Sequence, residues 1–141
     1  MLPTPIFRRI GAMTYDFLLH AALWMIVSGI FTGVVLKGQE LDNEHQYMLS
    51  FTLFPLLVLV SFSFVSYFWR KNQQTLGMQA WRLKIVNKEG ITPSMAQIAI
   101  RFAIGFVTLG AGIIWCLFDR EKRSLQDVLS PTNIVYIPKS I

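Results

Sequence analysis

Three long apolar runs separated by polar stretches set the pattern of this chain: about Thr14 to Leu36, Met48 to Trp69 and Ile98 to Phe118. An α-helix needs ~20 apolar residues to cross a hydrocarbon core of about 30 Å. Three hydrophobic helical segments are therefore expected, at about 14–36, 48–69 and 95–118. The second run has no charge and holds Pro55, Ser61, Ser63 and Ser66; serines in such a helix bond back to their own carbonyls or across to a neighbour. Ser94-Met-Ala-Gln97 has the spacing of a capping box and predicts that the third helix starts at Ser94. Between the second and third runs the period changes. Trp81, Leu83 and Ile85 alternate with Arg82 and Lys84 ahead of the turn residues Asn87-Lys88-Glu89-Gly90. This predicts a short strand from Gln79 to Asn87. Ser124 to Leu129 reads as one or two further helical turns, and Thr132 to Ile137 as a final strand stopped by Pro138. No internal repeat is visible. The expected fold is an all-α membrane protein, one domain over residues 1–141, with a small two-stranded β element on the cytoplasmic side.

Composition agrees with that class. Hydrophobic residues make up 53% of the 141 and charged residues 15%, against roughly 25% charged in an ordinary soluble domain. Arg8 and Arg9 precede the first run, as in a secretory signal, but Asp16 interrupts it and it is too long for a signal core. It reads as a span. The net charge of +5 sits at the flanks of the apolar runs, which suits anionic lipid and not nucleic acid. The N-terminal flank and residues 70–93 are basic, while the Lys37–Tyr47 loop holds Glu40, Asp42 and Glu44. The positive-inside rule then puts the N-terminus in the cytoplasm and this loop outside. The third run leaves two readings open. As a full span it would carry the C-terminus outside. Broken near Gly105 to Gly112, it would re-enter, keep Arg120, Lys122, Arg123 and Lys139 inside, and let the two strands pair. Cys116 is the single cysteine, and there is no metal-ligand cluster, phosphate loop or nucleophile–base pattern. No enzyme activity, cofactor or metal is expected.

The ionisable residues within the runs are the candidate chemistry. Arg9, Met13, Asp16 and His20 share one helix face. A carboxylate inside a span costs several kcal/mol unless it has a partner or a use. Asp16 is thus either a proton or cation carrier, or half of a structural ion pair with Arg101 or Arg9. Arg9 lies two turns away, about 10 Å along the axis, which makes Arg101 the leading partner. Arg101 otherwise snorkels to the interface. His20 either relays protons to Asp16 or is a hydrogen-bonded packing residue. Asp127 is expected to cap the last turn or pin it to Arg120 or Arg123. Gly29 and Gly33 have the spacing of a close helix contact and point away from the Asp16 face.

Taken in order, these motifs resemble those of one family. Arg9-x-x-Ala12-x-x-x-Asp16 opens the first span, and Thr75-Leu-Gly-Met-Gln-Ala-Trp-Arg-Leu-Lys-Ile-Val86 leads into the turn at 87–90. Arg101 starts the third segment, and Phe118-Asp-Arg-Glu-Lys-Arg-Ser-Leu-Gln-Asp127 leads to Thr132-Asn-Ile-Val135. The chain resembles, over nearly its whole length, the RDD family of small bacterial membrane proteins, named for an Arg and two Asp. Arg9, Asp16 and Asp127 stand at the naming positions. It departs from the family where Gln126 replaces a common His, Pro131 a common Gly and Met78 a frequent Lys. The resemblance implies about three spans in a bacterial inner membrane. For the family, transport of unknown ligands has been suggested, and cation/proton exchange for some members. The expected function is therefore participation in transport through Asp16. Three segments are few for alternating access, so transport implies a homo-oligomer. The competing class is a non-transporting adaptor or assembly protein that binds a membrane-protein partner or membrane lipid.

Overall fold

The first long helix, α1, runs Ile6–Leu36, two turns further toward the N-terminus than the apolar run. Arg8 and Arg9 are good helix formers and do not interrupt it. At 1.5 Å per residue its 31 residues are roughly 45 Å long, so one end projects beyond an apolar layer of about 30 Å. Lys37 ends it in a left-handed conformation, its N–H donating to the Gly33 carbonyl. A computed structural model describes residues 4–37 and 42–138. Glu40 of the acidic loop and Lys139 of the tail lie outside the described residues. The second helix, α2, spans Asn43–Asn72, with Pro55 inside it. It takes in part of the stretch expected to be loop.

α1 and α2 are both long and apolar enough to cross a membrane. They touch through a Trp24 Nε1–H bond to Ser61 Oγ at 2.7 Å and an edge contact between His20 and Phe64 with centroids 5.3 Å apart. Elsewhere they expose large apolar side chains, among them Phe17, Met25 and Phe51. A belt of this size suits lipid and not water.

The chain is packed tightly at one end of this pair, where α1 begins and α2 stops. Thr75 caps a short helix α3, Leu76–Ala80, by accepting from the Met78 N–H. A turn with Arg82 at positive φ then leads to strand β1, Leu83–Asn87. The expected strand over 79–87 is therefore shorter at its start, because the Thr75 cap captures Gln79 and Ala80 as helix. β1 pairs antiparallel with β2, Thr132–Tyr136, in the register Leu83↔Tyr136, Ile85↔Ile134, Asn87↔Thr132. Leu83 and Ile85 are fully buried and join Ala12 and Met78 in the core, with Trp69, Trp81, Ile134 and Tyr136 against it. The other edge of β1 is covered, since the Ile85 N–H donates to the Gln73 carbonyl at 2.8 Å.

The third apolar run is not one straight helix. α4, Met95–Val107, starts at the Ser94–Gln97 capping box as expected. It is followed by a 3-10 segment, Ala111–Leu117, bent from it by 98°. The break has a local cause. The Leu109 N–H donates to the Phe106 carbonyl and the Gly110 N–H to the Gly105 carbonyl, with Leu109 and Gly110 both at positive φ. This is the Schellman pattern that ends helices. α4 runs against α2 in the opposite direction: Arg101 faces Trp69, Phe102 meets Phe62 and Phe106 meets Phe54. A short helix α5, Leu125–Leu129, capped by Ser124, leads into β2. Since β2 pairs with β1, the chain returns to the end from which α4 departs. The break and the strand pairing that the second reading expected are both present.

Candidate functional site

Three elements converge where α1 begins. Arg9 comes from α1, Arg101 from α4 and Asp127 from α5. Arg9 Nη1 donates to Asp127 Oδ2 at 2.5 Å, and Arg101 Nη1 donates to Asp127 Oδ1. The Ser124 N–H donates to the same Oδ2 at 2.9 Å, while Ser124 Oγ accepts from the Asp127 N–H at 3.3 Å. Asp127 thus closes the capping box of α5 and pairs with guanidinium groups from two other helices, which share its one negative charge. Arg101 also donates to Thr132 Oγ1 at 2.9 Å, and Thr132 Oγ1 shares a bond with Ser130 Oγ at 2.8 Å. The Trp69 ring lies 5.6 Å from the Arg101 guanidinium carbon. Burial alone would raise the Asp127 carboxyl, but Arg101, Arg9 and the Ser124 N–H hold it below the usual carboxylate range. The side chain is fully enclosed, and both arginines are nearly so. Filling the remaining lone pairs offsets part of the desolvation cost of such a buried pair, and both carboxylate oxygens accept more than one bond or a bond from a guanidinium.

A second contact fastens α3 to α1. Asp16 Oδ2 accepts from Thr75 Oγ1 at 2.5 Å, and Asp16 Oδ1 accepts from the Gly77 N–H at 2.9 Å. The carboxylate therefore satisfies a first-turn amide of α3 that has no partner within that helix. Gly77 makes the approach possible: a Cβ there would lie 2.3 Å from the Ala12 carbonyl oxygen and 2.8 Å from Asp16 Cγ. His20 Nδ1 bonds the Asp16 backbone carbonyl at 2.8 Å. A carbonyl can only accept, so Nδ1 carries the proton.

The arrangement corrects two expected partnerships. Arg101 belongs to Asp127 and not to Asp16, which forms no ion pair among the described residues. Asp127 does cap its turn, but it is not pinned to Arg120 or Arg123. Arg123 instead pairs with Asp119 at 3.1 Å and Glu121 at 3.2 Å, closing the loop after the 3-10 segment. Those bonds from Arg123 lower the Asp119 carboxyl below its ordinary value. Both misassignments have the same origin: depth along one's own helix does not reveal that the chain folds back. Gly29 and Gly33 lie apart from all this, and a Cβ at either would meet nothing within 4 Å. Thr75, Gly77, Ser124 and Thr132 were not singled out as site residues. All four stand in the quoted motifs, Thr75 and Gly77 in Thr75-Leu-Gly-Met, Thr132 in Thr132-Asn-Ile-Val and Ser124 three residues before Asp127.

Comparison with known proteins adds a relative of matching length. The chain is 25% identical to "Uncharacterized protein YxaI" of Bacillus subtilis (strain 168), an alignment that covers 79% of this chain and 80% of that protein. No solved structure matches. The model of the RDD family matches residues 3–131, a stretch that contains Arg9, Asp16, Arg101 and Asp127, so the chain belongs to the RDD family.

Proposed function

We propose that this chain is a non-transporting membrane adaptor whose Arg and Asp residues lock a small folded platform onto two long helices. One observation carries the reading. The ionisable groups that a carrier would use are already committed: Asp127 lies between two guanidinium groups, and Asp16 accepts from Thr75 and Gly77. A carboxylate that hands ions across a membrane must release its partners in each cycle. Releasing these would detach α3 from α1, or α5 from both Arg9 and Arg101. The exposed glycines at 29 and 33 suit a contact with another membrane chain, either a second copy or a different protein. The basic flanks favour a bacterial inner membrane with the sheet end in the cytoplasm.

Cation/proton exchange through Asp16 is the competing reading, favoured by the His20 ring one turn away on the same helix. Reconstitution into liposomes with an internal pH dye separates the two. The adaptor reading predicts no proton flux above empty vesicles under an imposed sodium or potassium gradient. It also predicts that Asp16→Asn lowers thermal stability. Cation-driven proton flux that is lost in a stable, folded Asp16→Asn protein would establish exchange instead.

A further inference from the structure

A cavity of about 300 Å³ opens beside the start of α1, with Pro5, Ile6, Arg9, Leu117 and Lys122 in its wall. The volume is at the lower end of the roughly 300–1,000 Å³ typical of small-molecule sites. Its electrostatics are one-sided. Arg9 and Arg101 share the single carboxylate of Asp127, so the cluster behind the wall retains one uncompensated positive charge. Arg9 Nη1 is used on Asp127 and, at 3.8 Å, on Cys116 Sγ, and Nη2 reaches the Ile134 carbonyl at 3.5 Å. Arg9 Nε is buried and has no partner. A guanidinium N–H left unpaired in the interior costs the desolvation of a charged donor, unless something enters to accept from it.

Two further features of the wall have the same sign. α1 starts here at Pro5 with no side-chain cap, and the unpaired amides of a long helix start carry positive partial charge. Lys122 stands at the rim and forms no ion pair among the described residues. The rim is otherwise apolar: Pro5, Ile6 and Leu117 line the cavity, and Leu117 is exposed. We infer that this cavity binds a phosphate-bearing anion, with the phosphate against Arg9, Lys122 and the start of α1. The apolar rim favours a phosphate that carries acyl chains, the headgroup of an anionic lipid, over free phosphate. The inference does not depend on whether the chain moves ions.

The test uses the full chain in detergent, with native mass spectrometry and thermal unfolding as readouts. Probes are dihexanoyl phosphatidylglycerol, inorganic phosphate and, as the zwitterionic reference, dihexanoyl phosphatidylcholine. Phosphatidylglycerol is expected to bind one to one and raise the unfolding temperature. Lys122→Glu should weaken it roughly tenfold, the loss of one charge-assisted contact. Ile6→Trp, which fills the cavity and leaves Arg9 in place, should abolish it. Circular dichroism checks that both variants fold. Binding of inorganic phosphate as tight as that of phosphatidylglycerol would keep the anion site and make free phosphate its ligand. The inference is overturned if neither anionic probe binds better than phosphatidylcholine, or if both folded variants bind like the wild type.

Discussion

Asp127 accepts from two guanidinium groups and a backbone amide, and its loss leaves both guanidinium charges buried without a counter-charge. Removing one partner of a buried ion pair costs about 3–5 kcal/mol, so Asp127→Asn is expected to destabilise the fold by that amount in equilibrium unfolding in detergent. The pairing has a sharper check. In a double-mutant cycle Asp127→Asn and Arg101→Gln should couple by about 1–3 kcal/mol, whereas Asp16→Asn and Arg101→Gln should be additive within roughly 0.5 kcal/mol. The reverse outcome would restore the Asp16 partnership read from sequence. That reading was right that Asp16 needs partners and wrong about their kind. Thr75 and the Gly77 amide meet the need without a charge, and an uncharged partner leaves no mark in a search for opposite charges.

At the scale of elements, the docking of α3 on α1 depends on one missing side chain. Gly77→Ala would push a methyl into the Ala12 carbonyl, and overpacking of this kind costs about 1–3 kcal/mol. Gly29→Ala and Gly33→Ala meet open space. In the isolated chain they should be neutral or stabilising, since Ala exceeds Gly in helix propensity by about 1 kcal/mol. Thermal unfolding of the three variants in detergent checks the contrast, and equal losses at all three positions would contradict it. Helix starts at Ser94 and Ser124 were legible because a capping residue is a local signal. The limits of α1 and α2 were not, because the helix continues past the apolar run through Arg8 and Arg9 at one end and through Asn43 to Tyr47 at the other.

For the whole molecule, the apolar runs made the two long helices and the interrupted third segment legible, and the period of two at Leu83 and Ile85 made the sheet legible. What length and charge left open was the path of the third segment. The Schellman bonds at Leu109 and Gly110, the strand pairing and the Asp127 contacts act together to turn it back. None of these follows from counting apolar residues, since the strand pairing and the Arg9–Asp127 contact link positions more than 40 apart. The account therefore stands on the return of the chain to the end where α1 begins. Single cysteines at Asn43, Lys88 and Glu121, in a background with Cys116→Ser, test it most directly through labelling with a membrane-impermeant thiol reagent in sealed vesicles. Lys88→Cys and Glu121→Cys are predicted to react from one side and Asn43→Cys from the other. Labelling of Glu121→Cys from the side of Asn43→Cys, with Lys88→Cys opposite, would mean a full third span and would contradict the account.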